Sequence, residues 1–263
     1  MSRPPAEQHA RRYPARLAGL SRLWLAQLVR APSDPKHEAA ARQMWWQVLL
    51  LLSLGGIAVL VLMVGFDATE IGWMPPRGTP SLWPLRILTD FGKDSYVLSA
   101  LAGLLLAIAL AVPLSRADAR HQLLRRGVDL QYLFLAVCFP VIVAEIIKWT
   151  VGRGRPFVGG KADAFHFAPF NGTEAYFSLP SAHAVTAFAL AFGVAAIWPR
   201  TRVVMAVYAV VILMTRLVLL AHHPSDVVAG AVIGVVGALM VRYWFAARRL
   251  GFAIDQKGEI APL

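Results

Sequence analysis

Charge is scarce in this 263-residue chain. Asp, Glu, Lys and Arg make up 16% of it, against about 25% in soluble domains. Apolar residues make up 57%, so a bilayer rather than water is the expected surrounding. Cysteine is almost absent. The one thiol, Cys138, lies inside an apolar run, which excludes an intramolecular disulfide and a cysteine metal site and leaves a small buried hydrophobe. Acidic residues are outnumbered by basic ones, 15 to 26, for a net charge of +11. That excess does not form a nucleic-acid stripe. It falls mostly between long apolar runs, as topology determinants do, and it favours anionic headgroups or an anionic substrate. Internal repeats and low-complexity tracts are lacking. Residues 1–43 carry Arg3, Arg11, Arg12, Arg16, Arg22, Arg30, Lys36 and Arg42 without an apolar h-region among them. They are expected to be a basic cytoplasmic extension, not a secretory leader. Its stretch 15–29 can form an amphipathic helix on the membrane surface.

Crossing a bilayer takes about 20 apolar residues in a helix. Six segments qualify, at about 44–66, 95–114, 129–148, 183–199, 203–221 and 226–246. The fourth is the shortest. Its Ala, Gly, Phe and Val suit a helix enclosed by others. The expected fold is therefore all-α, a polytopic bundle of six transmembrane helices. The basic extension occupies 1–43, the membrane domain 44–247 and a cytoplasmic tail 248–263. Arg116, Arg120, Arg125 and Arg126, then Arg200 and Arg202, then Arg248 and Arg249 all fall on the side of the N-terminus. That side is expected to be the cytoplasm. Connections 67–94, 149–182 and 222–225 then face outward, the first with Trp73 and Trp83 for the headgroup zone. In a bacterial inner membrane, which the Ala/Arg/Leu-rich composition favours, the outward face is periplasmic.

The outward helix ends hold the residues that topology does not explain. Lys148 closes the third span, and Arg155 and Pro156 follow in KWTVGRGRP. Pro180, Ser181, Ala182 and His183 open the fourth. Arg216, His222 and Asp226 read R-x5-H-x3-D. A Lys or Arg at a helix centre costs about 2.5–3.5 kcal/mol on insertion scales, so a group of them at one depth calls for an anion. Arginine offers planar bidentate donors to phosphate, lysine a point charge, and a helix N-terminus at Ser181 and Ala182 adds backbone N–H groups. No carboxylate cluster suited to a magnesium pair accompanies them, so fixed cations would balance the transition-state charge. His222, with Asp226 four residues on to hold one ring nitrogen, is expected to attack phosphorus. His183 is expected to act as the general acid and then activate water. His223 is read as a neighbour, Glu145 as an ion-pair partner of Lys148, and His166 as a loop residue that could touch substrate. Phe165, Phe167, Phe170, Tyr176 and Phe177 could form a lip over the site or anchor in the interface.

These three blocks resemble those of the type 2 phosphatidic acid phosphatase superfamily, K-x6-RP, PSGH and SR-x5-H-x3-D. Ala182 replaces the glycine of the second and Thr215 the serine of the third. The resemblance covers roughly residues 45–246. It implies a helical core like that of vanadium haloperoxidases, a phosphohistidine at His222, phosphate binding at Lys148, Arg155, Ser181 and Arg216, and no metal or other cofactor. The substrate implied is a lipid phosphate: undecaprenyl diphosphate, phosphatidylglycerol phosphate, phosphatidic acid or lipid A. A phosphotransferase with the same intermediate, a haloperoxidase, and a non-catalytic lipid binder or transporter are the competing readings. Oligomeric state is not legible.

Overall fold

The computed structural model describes residues 5–156, 158 and 164–263; Arg3 lies outside them. Among the described residues nine α-helices dominate: α1 (Pro5–Val29), α2 (His37–Gly65), α3 (Asp67–Trp73), α4 (Trp83–Thr89), α5 (Asp94–Ala111), α6 (Ala117–Val151), α7 (Ala182–Ile197), α8 (Arg202–Val218) and α9 (Pro224–Ala247). Five of the long apolar stretches, carried by α2, α5, α6, α8 and α9, can each cross a membrane; α7 is apolar but shorter. The chain is an all-α integral membrane protein. The expected spans lie within these helices to a few residues. Helices α2 and α6 begin earlier than expected, at His37 and Ala117, and α8 stops at Val218, where residues 219–223 turn back, with Leu220 in the left-handed region at φ 47°. Leu220 is buried, so packing holds a backbone conformation that a leucine otherwise avoids.

Helix α9 is the centre of the bundle, packed against α2, α6 and α7. Two glycines one turn apart explain the closest of these contacts. A Cβ on Gly230 would lie 2.6 Å from the carbonyl oxygen of Ser181, and one on Gly234 2.4 Å from that of Val185. Backbone therefore meets backbone, as small residues allow between membrane helices. The enclosed face of α7 matches: Ala184, Val185, Ala187 and Ala189 are all buried. By contrast α2 carries Leu49, Leu50, Leu52, Leu54 and Ile57 exposed, which suits acyl chains.

The two ends of the bundle differ. At one end α1 lies near the junction of α5 and α6. Tyr13 Oη donates to Leu110 O (2.9 Å), and the Trp24 ring occupies the space that a Cβ on Gly127 would need. A short antiparallel hairpin, β1 (Phe252–Ile254) with β2 (Ile260–Pro262), packs there too, with Phe252 edge-on to Tyr132 at 4.8 Å. Helix α1 and the C-terminal hairpin thus gather beside the first half of α6. Lys148, Ser181, Arg216 and Asp226 lie at the other end.

Candidate functional site

Four helix ends build the site. Helix α6 ends at Gly152, whose left-handed φ of 57° lets its N–H donate to Lys148 O while a Cβ there would strike Ala168 O at 2.0 Å. The Lys148 head is buried and pairs with Glu145 at 2.5 Å, as the three-residue spacing anticipates. Arg155 follows on the loop, anchored by its N–H to Ala175 O (2.8 Å). Its pairing with exposed Glu174 is loose at 3.9 Å. Near the end of α8, Arg216 Nη1 donates to Thr89 Oγ1 (2.9 Å), and Thr89 also bonds Thr215 Oγ1 (3.0 Å). At the start of α7, Ser181 is the N-cap residue and its N–H donates to Asp226 O (3.0 Å). Arg155 Nε, Arg216 Nε and Ser181 Oγ are buried without a protein partner. Buried donors left open in this way suit an anion supplied from outside.

His222 sits in the turn between α8 and α9, 2% exposed. Burial, followed by the positive charges of Arg216, Arg155 and Lys148 and the proximity of His183, pushes its pKa well below the ordinary histidine value. All four therefore lie close enough for their charge to act on His222. His222 Nδ1 lies 2.8 Å from the carbonyl oxygen of Ser178. A carbonyl only accepts, so Nδ1 carries the proton and Nε2 the lone pair.

Asp226 does not hold the imidazole directly, contrary to the expectation from its spacing. Its Oδ2 is 4.0 Å from His222 Nδ1. The reason is where α9 begins. Helical geometry starts at Pro224, so His222 lies outside the helix, and the four-residue spacing is not one turn. Asp226 Oδ2 instead accepts from the His223 N–H (2.9 Å) and Ser178 Oγ (2.6 Å). It caps α9 and fixes the segment whose carbonyl orients His222. His223, the N-cap of α9, is buried as part of that turn.

Comparisons with known proteins bear on this arrangement. The family model of the PAP2 superfamily matches residues 129–250. Lipid A 1-phosphatase of Rhizobium johnstonii is 33% identical over 214 residues, covering 81% of this chain and 86% of its own. Lipid A 1-phosphatase of Rhizobium etli is also 33% identical over 214 residues, covering 81% and 90%. The chain belongs to the PAP2 superfamily. No solved structure matches it. As a membrane-embedded PAP2 protein it is a lipid phosphatase.

The departures from the PAP2 blocks are accommodated. Ala182 opens α7 as an ordinary helical residue, so the freedom of a glycine is not needed there. Thr215 keeps a hydroxyl and uses it toward Thr89 and Ile212 O. Several site residues were not found by sequence reasoning. Arg153, inside the spacer of the first block, is fully buried and donates to Asp226 Oδ1 (2.6 Å) and Asp67 Oδ2 (2.7 Å). Ser178 and Ser225 complete the group, while Asp67 and Thr89 come from outside the PAP2-matched stretch. Doubled charge in GRGRP hinted at Arg153; nothing local marked the others. The aromatic residues of the following loop remain at the surface. Phe165, Phe167 and Phe170 are exposed, Phe170 edge-on to Trp149 at 4.8 Å, and the half-buried His166 faces Tyr176. Among the described residues, no three His, Cys, Asp or Glu side chains are grouped to hold a metal ion.

Proposed function

We propose that the protein removes a phosphate from a lipid A-type saccharolipid at the periplasmic face of the inner membrane, through a phosphohistidine on His222. The reading rests above all on one observation: a buried imidazole protonated on Nδ1, with its Nε2 lone pair left for attack, among Lys148, Arg155 and Arg216, the two arginines each with an open buried donor. The two curated relatives supply the substrate class.

In the first step Lys148, Arg155, Arg216 and the Ser181 N-terminus hold the phosphate. His222 Nε2 forms a bond to phosphorus as the bond from phosphorus to the lipid oxygen breaks. His183 gives its proton to that oxygen. The bound dianion supplies the negative charge beside which His183 can carry the proton. In the second step His183 takes a proton from water, the water oxygen bonds to phosphorus, and the N–P bond breaks to release inorganic phosphate. The fixed cations stabilise the equatorial oxygens in both steps. The basic loops at the opposite end of the bundle support an inward orientation for that end and a periplasmic one for the site.

The test is phosphate release by detergent-purified protein in EDTA from bisphosphorylated lipid A, phosphatidylglycerol phosphate, phosphatidic acid and undecaprenyl diphosphate. Wild type is expected to prefer lipid A and to yield an acid-labile phosphoprotein on rapid quenching. His222→Ala is expected to lose roughly a thousandfold or more in kcat. Equal release by both proteins would remove His222 as nucleophile, and preference for a glycerolipid would replace the substrate.

A further inference from the structure

We propose that Asp67 is a positioning residue for His222, acting through Arg153 and Asp226. The inference rests on His222 being the nucleophile. Asp67 stands at the start of α3, outside the PAP2-matched stretch, and its side chain is fully buried. It accepts from the Ser225 N–H (3.0 Å), Ser225 Oγ and Arg153 Nη2 (2.7 Å). Arg153 spends its remaining donors on Ala164 O, Ser225 Oγ and Asp226 Oδ1. Asp226 holds Ser178, and the Ser178 carbonyl holds His222. One chain of contacts thus joins the start of α3, the loop after α6, the loop before α7 and the start of α9.

Its charge decides what it can do. Two carboxylates share one guanidinium, so the enclosed group carries one net negative charge. A buried ion cluster is an expensive way to hold helices together, because well-packed apolar residues do as well or better. A residual negative charge behind the imidazole has a use that apolar packing lacks. His222 gains positive charge as it takes up the phosphoryl group, and it is otherwise surrounded by Lys148, Arg155 and Arg216. Asp67 draws on Arg153 from the far side, so the guanidinium does not fully neutralise Asp226. Asp226 therefore keeps the charge that the phosphorylated imidazole needs, 4.0 Å away.

The experiment compares kcat, KM and thermal midpoint in detergent, with the fastest-cleaved lipid of the panel above. The proteins are wild type, Asp67→Asn, Asp67→Glu, the double variant Asp67→Asn/Arg153→Gln, and His222→Ala. Asp67→Asn is expected to lower kcat about 10- to 100-fold, the scale found when outer partners of metal-ligating histidines are removed, with KM within about twofold of wild type. Asp67→Glu keeps the charge and packs worse, so it retains more kcat than Asp67→Asn at an equal or lower midpoint. The double variant restores the net charge and recovers several-fold in kcat over Asp67→Asn. Loss of kcat that tracks the midpoint across the variants, or wild-type kcat in Asp67→Asn, overturns the proposal. Should Asp67→Asn not accumulate, the double variant decides. A kcat within about tenfold of wild type supports the proposal and a lower one overturns it. His222→Ala at wild-type activity would sink the nucleophile reading itself. His222→Ala inactive beside a fully active Asp67→Asn sinks only the present inference.

Discussion

The two ends of the bundle carry charge in opposite ways. At the end where α1 and the C-terminal hairpin pack, Arg126 and Arg249 stay at the surface. Arg126 pairs with Asp129 at 3.8 Å and is 63% exposed, and Arg249 reaches Asp34 while mostly exposed. At the site end, Arg153, Asp67 and Asp226 are fully buried and bonded to residues far away in the chain. Surface pairs are worth little, and buried ones cost desolvation that only good geometry offsets. Charge at the first end is therefore replaceable, since it answers to water and headgroups. Charge at the second end is fixed in number and place, since each group answers to another.

The largest effect expected to sharpen this contrast is at Arg216. Arg216→Gln removes one cage cation while leaving a hydrogen-bonding group near Thr89, and kcat/KM should fall roughly a hundredfold. Steady-state kinetics in detergent checks it, and a change under about threefold would mean that Lys148 and Arg155 suffice. Next is Glu70, on α3 one turn from Asp67. Its carboxyl is buried with both oxygens unpartnered, and burial first, then the Asp67 charge, raises its pKa to about 7. A raised folded pKa gives stability that is fully present below the ordinary glutamate value and is lost as pH rises through about 7. His222 contributes with the opposite sign, since its depressed pKa removes stability as pH falls below the ordinary histidine value. The difference between wild type and Glu70→Gln isolates the first contribution. Melting in detergent at about pH 5 and about pH 8 should show a shallower loss with rising pH in the variant; parallel curves would refute it. The smallest effect belongs to the other end. Arg126→Ala should change stability by less than about 0.5 kcal/mol and leave kcat unchanged. A larger shift in the unfolding midpoint would break the comparison itself.

Much of the fold was legible in the sequence because apolar length is a local property. Five spans and the shorter α7 emerged inside or within a few residues of the helices, although α2 and α6 begin earlier, at His37 and Ala117. Lys148, His183, Arg216 and His222 stood out as candidates for a related reason: an ionisable group at a membrane helix end is conspicuous. The supporting residues were not. Asp67 and Ser225 meet across 158 positions of chain, Arg216 and Thr89 across 127, and no spacing rule spans such distances. Asp226 was legible as a member of the site but not in its contacts, because the four-residue interval was read as a helical turn and α9 begins too late for that. The G-x3-G pair at Gly230 and Gly234 was a readable sign of close helix approach. It would have drawn attention to the contact that brings Ser181 beside α9.

That glycine contact also has a mechanical meaning. Where α7 meets α9, the separation is set by backbone atoms in van der Waals contact, which have no rotamers to exchange. His183 lies in the first turn of α7 and His222 in the turn just before α9, so this contact sets the spacing of the segments that carry them. Arg216 rides on α8, joined to α7 through Ala187, Ala191, Ala209 and Ile212, and such side-chain layers yield more readily. Lateral pressure or a change in bilayer thickness would thus be felt first as a loosened grip on phosphate. The gap between the two histidines would be the last dimension to change.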